Sequence, residues 1–317
     1  MKKMIVTTSI NPVTDAIKLY DAMEDWELLV IGDKKTPVDY YSGLLSGKFL
    51  PWTYVEATYP DLVRLIGWNS VRLGRMVAFI EAYRRGADIL ASVDDDVMPD
   101  DDWGKNVVLG KEVKATECIP ASDLCFDPWF DAWDEYYQWP RGYPIEEIGN
   151  RRVEKVKRNQ SITPLVQVDF CRGDSDVDAT FRIAGEEEHG FVPQCDDLQF
   201  ADMFSPINTQ NTFIHRSVIK DFYANIPFIG RADDIWAGYI FQALHQKSTI
   251  YGPPSATHEQ ERTIQSIVDD LEDEIFMYRN TYKFLQSIKE NGVERAMAYF
   301  LPNNALMAIE IYRSYFE

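Results

Sequence analysis

Ile89-Leu90-Ala91-Ser92-Val93-Asp94-Asp95-Asp96-Val97-Met98-Pro99 reads as a short buried strand that ends on three consecutive carboxylates. Residues 89–93 are an unbroken run of apolar and small side chains, the pattern of a strand covered on both faces in a parallel sheet. In open α/β sheets ligands gather outside the carboxyl ends of the strands. Clustered carboxylate oxygens there suit a hard divalent cation that also holds phosphate oxygens. The plainer alternative is a solvated acidic turn, which Pro99 and the further acids Asp100, Asp101 and Asp102 would also favour.

The chain before this stretch alternates strand and helix. Residues 4–9 read as a first strand, with Thr14 or Asp15 as the N-cap of a helix over 16–23, and residues 26–31 as a second strand stopping at Gly32-Asp33. That alternation predicts a right-handed parallel unit. Asp33 then sits at a strand's carboxyl end, where it can accept from a base or ribose, or simply shape a turn. From Asp61 the apolar spacing is helical, and Gly67-Trp68-Asn69-Ser70 divides it into two helices. Arg72 and Arg75 fall near the start of the second, where a cation opposes the helix dipole unless an anion such as a diphosphate pairs with it.

Beyond the triplet the signals are mixed. Residues 43–59 read as irregular, 104–110 and 112–119 as two short strands or a hairpin, and 151–160 as a basic connector. The aromatic and acidic residues between Phe126 and Tyr143 suit either a sugar platform or core filling. Asp174, Asp176 and Asp178 follow a strand over 165–171, but the glycine and closing glutamate of a calcium loop are missing. Residues 204–214 read as a polar stretch before a helix over 216–223, and Asp233 lies near the N-cap of another helix. A strand over 249–251 is followed by Gly252-Pro253-Pro254, which leads the chain out to His258. From residue 261 two or three amphipathic helices are expected, with Asp269, Asp270, Glu272, Asp273 and Glu274 on their outer face.

With 317 residues, 45% of them hydrophobic, the chain can bury a sizeable core. A formal net charge of −19 disfavours a phosphate backbone as the main partner but not a nucleotide, because a metal can bridge the negative charges. Cys118, Cys125, Cys171 and Cys195 form no CxxC pair, which points to reduced thiols and a cytoplasmic setting. No apolar run approaches the ~20 residues of a membrane span.

Six segments in order carry a family resemblance: Gly67-Trp68-Asn69-Ser70-Val71-Arg72, Val93-Asp94-Asp95-Asp96, Arg141-Gly142-Tyr143-Pro144, Arg172-Gly173-Asp174-Ser175-Asp176-Val177-Asp178-Ala179, Asn208-Thr209-Gln210-Asn211 and Asp233-Asp234-Ile235-Trp236-Ala237-Gly238-Tyr239. The sequence resembles nucleotide-sugar glycosyltransferases of the GT-A fold, in the group of the STELLO-like proteins and the reversibly glycosylated polypeptides, which include UDP-arabinopyranose mutases. The resemblance implies a Rossmann-like α/β fold with a mixed, mainly parallel sheet flanked by helices. Residues 1–260 would bind nucleotide sugar and acceptor, and 261–317 would form a helical extension packed on them.

By the same resemblance Asp94 to Asp96 form the DxD-type motif, with Asp96 and His258, and Asp94 beside them, as ligands of Mn2+ or Mg2+. Thr7, Thr8, Asp33, Asn69, Asp94 and Asp95 would line the nucleoside site, and Arg72 would face the diphosphate. Asp233 or Asp234 corresponds to the acceptor-side base, and Arg141 to the arginine that becomes glycosylated in the mutases. Those enzymes carry a second arginine seven residues on, where this chain has Ile148.

The expected activity is that of a metal-dependent hexosyl- or pentosyltransferase using a UDP-sugar. A UDP-sugar mutase and a sugar-nucleotide binding protein without turnover are the alternatives. A glycan, a lipid-linked saccharide, a protein and a modified nucleic acid are all compatible acceptors.

Overall fold

Ile89–Val93 is a strand buried at every position, and the rest of the sheet is assembled outward from it. The computed structural model describes residues 1–44, 47–68, 70–132, 139–174, 176–184, 197–260 and 262–317. Asn69 and Cys195 lie outside the described residues. The N-terminal half comprises β1 (Lys3–Ser9), α1 (Asp15–Asp21), β2 (Glu27–Gly32), β3 (Lys48–Leu50), α2 (Trp52–Thr58), α3 (Pro60–Ile66), α4 (Val71–Arg84), β4 (Ile89–Val93), β5 (Val97–Pro99), β6 (Val113–Pro120) and α5 (Pro128–Ala132). It continues through β7 (Val153–Ile162), β8 (Val166–Gly173), α6 (Ala179–Ala184), β9 (Gln199–Phe200), β10 (Asn211–His215), α7 (Asp233–Leu244) and β11 (Thr249–His258). Three helices close the chain, α8 (Ile264–Asn291), α9 (Val293–Phe300) and α10 (Asn303–Ser314).

The described strands form one mixed sheet in the order β3-β2-β1-β4-β10-β8-β11-β9-β6-β7, with β5 paired to β11. Through the centre β3, β2, β1 and β4 run parallel, β10 runs against them, and β8 and β11 return to the first direction. The carboxyl ends of β1, β2, β4, β8 and β11 therefore lie along one edge. This is the mainly parallel α/β core that the alternation at the N-terminus predicts, with β10 as the reversed strand.

Helix α4 covers β1 and β2, and the close approach depends on Gly74. A Cβ there would come within 2.6 Å of Thr8 Cγ2. The C-terminal helices share a core with α4 and α7. Trp236 of α7 stacks on Phe284 of α8 with ring centroids 3.9 Å apart, and its indole N–H donates to Thr281 Oγ1 at 3.0 Å. Among the described residues no helix is long and apolar enough to cross a membrane. Cys118, Cys125 and Cys171 are buried thiols.

Several segments depart from the expectation. Residues 43–59 contain β3 and α2, the latter preceded by Pro51, whose fixed φ suits a helix start. Residues 104–110 form no strand; Val108 N–H donates to Gln167 Oε1 and Gly110 N–H to the Pro164 carbonyl, and β6 pairs with β7 instead. The basic stretch 151–160 supplies β7, the last strand at one edge, where charged residues are the usual guard against further pairing. The polar stretch before His215 hides β10, whose Asn211 and Thr212 are buried among hydrogen-bonding partners. Its expected successor helix is a 3-10 turn over Arg216–Asp221. Gly252-Pro253-Pro254 does not end the strand, because β11 bulges there and runs on to His258. On α8, Asp270 and Glu274 turn inward to Arg231, so that face is not a solvated one.

Truncating Trp236→Ala removes a stacked ring and a buried N–H at once, and is expected to destabilise the fold by about 3–5 kcal/mol. A urea titration reads the change as a lower midpoint, and a loss below 1 kcal/mol would mean that α8 contributes little to the core.

Candidate functional site

Three adjacent carboxylates at one strand end repel one another, and here each is held by a different neighbour. Asp94 is met from α4 by Arg75, whose Nη2 donates to Asp94 Oδ1 and whose Nη1 donates to Ser92 Oγ at 2.7 Å. Arg75 is buried, whereas the Asp94 side chain keeps 38% of its surface exposed. Partial desolvation at the strand end raises the Asp94 pKa, against the pull of Arg75.

Asp95 is held by the end of β1 and the loop after it. Ser9 Oγ donates to its Oδ2, Asn11 Nδ2 donates to the same oxygen at 3.1 Å, and Thr14 Oγ1 donates to its carbonyl. Thr14 Oγ1 also accepts the Ile17 N–H at 3.2 Å as the cap of α1. A capping residue thus joins the first helix to the triplet.

Asp96 meets His258 through strand pairing. β5 lies antiparallel on β11 with Val97 opposite His258, which brings His258 Nε2 within 3.4 Å of Asp96 Oδ2. Burial raises the Asp96 pKa, but His258 outweighs it and the net direction is down. For His258 burial acts to lower the pKa, and the Asp96 carboxylate lifts it above the ordinary value. His258 Nδ1 lies 2.7 Å from the Asp174 carbonyl. A carbonyl only accepts, so Nδ1 carries the proton and the neutral ring keeps its lone pair on Nε2.

A cleft of about 340 Å³ opens beside the triplet, lined by Thr8, Asp33, Trp68, Ser70, Gly74, Asp94 and Asp95 among others. Thr7, also expected there, is buried and does not line it. Asp33 is shaped by its turn, its N–H donating to Thr36 Oγ1 at 2.7 Å and its Oδ1 accepting the Lys35 N–H at 3.2 Å. Ser70 and Val71 bring the start of α4 to the cleft, and the Ser70 side chain makes no cap bond. The first N–H groups of α4 therefore lend the cleft a partial positive charge.

The remaining predicted residues gather in a second cluster. Arg72 does not line the cleft; its Nε donates to Asp233 Oδ2 at 2.7 Å and its Nη2 to the Gly230 carbonyl at 2.8 Å. Arg141 is 7% exposed and spends all five N–H donors, two on Asp176, two on Asp234 and one on the Arg231 carbonyl. Burial works to raise the Asp176 pKa, but Arg141 beside it holds that carboxyl far below the usual range. Asp234 also accepts from the Thr209 and Ile235 N–H groups, at 3.1 and 2.9 Å, so its oxygens are filled. Burial pushes its pKa up.

The aromatic stretch divides differently from its expected use as a platform. Phe126 and Tyr143 are core residues, Trp129 and Trp139 pack against that core, and residues 133–138 lie outside the described residues. Sequence reasoning set Arg75 beside Arg72 as a cation awaiting an anion such as a diphosphate, where the structure gives it Asp94, and missed Ser9, Asn11 and Asp174. Arg75 lies one helical turn beyond Arg72, and the sequence does not say which of the two reaches the strand tip.

No protein-family model matches the chain. It is 24% identical over 313 residues to "Probable glycosyltransferase STELLO2" of Arabidopsis thaliana, an alignment covering 92% of this chain and 40% of that protein. Over 264 residues it is 24% identical to "Probable glycosyltransferase STELLO1" of the same plant, covering 77% of this chain and 33% of the relative. The chain is thus similar to two proteins named as probable glycosyltransferases. It spans less than half the length of either of these relatives.

Arg75→Met leaves Asp94 without its cation. The Asp94 carboxyl is then expected to titrate about 1–3 units higher than in the parent protein. A carboxyl-carbon NMR titration measures the shift, and an unmoved value would show that Arg75 does not govern Asp94.

Proposed function

We propose that this chain is a glycosyltransferase that takes a UDP-sugar in the cleft beside Asp94 and Asp95, with Mn2+ or Mg2+ held at Asp96 and His258. The observation that carries this is the division of the triplet: two aspartates face the cleft, while the third lies against an imidazole whose Nε2 is the unprotonated nitrogen in the neutral ring. The likeness to proteins named as glycosyltransferases supports the reaction class, and the strand directions fit a GT-A core.

The donor set suits such an ion. One carboxylate and one imidazole are few, and among the described residues no group of three His, Cys, Asp or Glu side chains is gathered around a common point. Magnesium-type sites commonly use one or two protein ligands and leave the rest to phosphate oxygens and water. Asp94, expected as a further ligand, is engaged by Arg75 and serves the nucleoside side of the cleft. When bound, the ion neutralises charge on the departing diphosphate.

The chain's own residues supply binding and orientation. Thr8 and Asp33 line the nucleoside end, and the start of α4 offers N–H groups to the diphosphate. Arg72 holds Asp233 and the Gly230 turn rather than the phosphates. Of the two paired acids Asp233 keeps spare acceptor capacity, with bonds from Arg72 Nε and the Asp234 N–H, and is the better acceptor-side base. Asp234 holds Arg141 in place.

The geometry at Arg141 disfavours the mutase alternative. A guanidinium that spends every donor in a buried pair of carboxylates, and whose pKa those carboxylates raise against the effect of burial, has no nucleophilic nitrogen to offer.

Incubation with a panel of UDP-sugars and Mn2+, followed by chromatography of the nucleotides, is expected to show slow release of UDP. Asp96→Ala should lower that rate by about 100-fold or more, as losing several kcal/mol of charge stabilisation would. Release that survives both chelation and Asp96→Ala would overturn the proposal. A furanose isomer of the intact UDP-sugar would restore the mutase, and binding without UDP release would leave a sugar-nucleotide binding protein.

A further inference from the structure

We propose that Asp174 is a positioning residue: two arginines grip its carboxylate, and its backbone carbonyl in turn fixes the His258 ring with Nε2 toward Asp96. This rests on the reading of Asp96 and His258 as the cation site.

The ends of β8 and β11 run side by side, with Gly173 opposite His258. Just past that pair the chains clasp each other. The Asp174 N–H donates to the His258 carbonyl at 2.7 Å, and His258 Nδ1 donates to the Asp174 carbonyl at 2.7 Å. Gly173 makes the clasp sterically possible, since it adopts φ +85° and a Cβ there would lie 2.2 Å from the His258 carbonyl oxygen. A side chain at 173 would push the imidazole away from Asp96.

A turn held only by its own backbone could swing, but this one is fixed from outside the sheet. Asp174 Oδ1 accepts from Arg182 Nη1 of α6, and Oδ2 accepts from Arg262 Nε at 2.9 Å. Arg262 is itself anchored on α8 by Asp270 at 3.0 Å. The chain of contacts runs from α8 through Arg262 and Asp174 to the imidazole, and it ends 3.4 Å from Asp96. A histidine ligand commonly donates its second ring nitrogen to a carbonyl or carboxylate, which sets tautomer and ring direction, and losing such a partner typically costs 10–100-fold in metal affinity.

Two readouts test the proposal on the full chain. Long-range 1H–15N NMR of the metal-free protein, on the alkaline side where the ring is neutral, reports the His258 tautomer. Titration with Mn2+ in the presence of UDP, followed by electron paramagnetic resonance, reports affinity. The parent protein is expected to show His258 protonated at Nδ1. Asp174→Ala and Arg262→Ala should show mixed tautomers and about 10-fold or more weaker Mn2+ binding, and Arg262→Lys should recover most of both. Either alanine variant suffices if the other does not fold.

The parent tautomer in both alanine variants would overturn the positioning role, whatever Mn2+ does. Mn2+ affinity unchanged in His258→Ala would instead remove the cation site itself, and the tautomer spectra would still decide whether Asp174 orients the ring.

Discussion

Consecutive carboxylates at the end of a buried strand are mutually repulsive, and the fold is arranged so that each meets a different compensating group. Asp94 has a buried arginine from α4, Asp95 has hydroxyl and amide donors from the end of β1 and the loop after it, and Asp96 has an imidazole from the end of β11. Those groups arrive from three separate parts of the chain, brought together because β1, β4 and β11 end along the same edge of the sheet. Lose the register of β5 on β11, and Asp96 loses its partner while the other two keep theirs.

Behind this edge lies a second layer of paired charges. Arg141 with Asp176 and Asp234 and Arg72 with Asp233 tie α7 to α4 and the neighbouring loops, and Arg231 and Arg262 with the acids of α8 join that helix to them. Buried ion pairs contribute little net stability, because desolvation offsets their attraction, but removing one partner is costly. Their use here is to fix position. The ring stack of Trp236 on Phe284 secures the same helices through apolar contact.

Much of this was legible in the residues. The apolar run before Asp94, the alternation from residue 4 to 31 and the break at Gly67 all describe local periodicity, and periodicity survives folding. What escaped were elements whose burial is paid in hydrogen bonds: β10 opens on Asn211 and Thr212, which look like loop residues until their partners Trp103 and the Asn208 carbonyl are in place. β7 was hidden by the charges of an edge strand, and β11 by two prolines that its bulge accommodates. His258 could be named as a partner of the triplet only through a resemblance; strand register supplies the physical reason. Arg75, Asp176 and Asp174 were beyond sequence because long-range pairing, not local spacing, gives them their roles.

The central claim is that the strand tip and His258 together receive the diphosphate end of a sugar nucleotide through a divalent ion. A crystal structure of the complex with UDP and Mn2+, with anomalous data at the manganese edge, addresses it directly. The account predicts a manganese peak shared by Asp96, His258 and the diphosphate, with the uracil in the cleft near Asp33. Nucleotide bound elsewhere, or manganese away from both side chains, would contradict it.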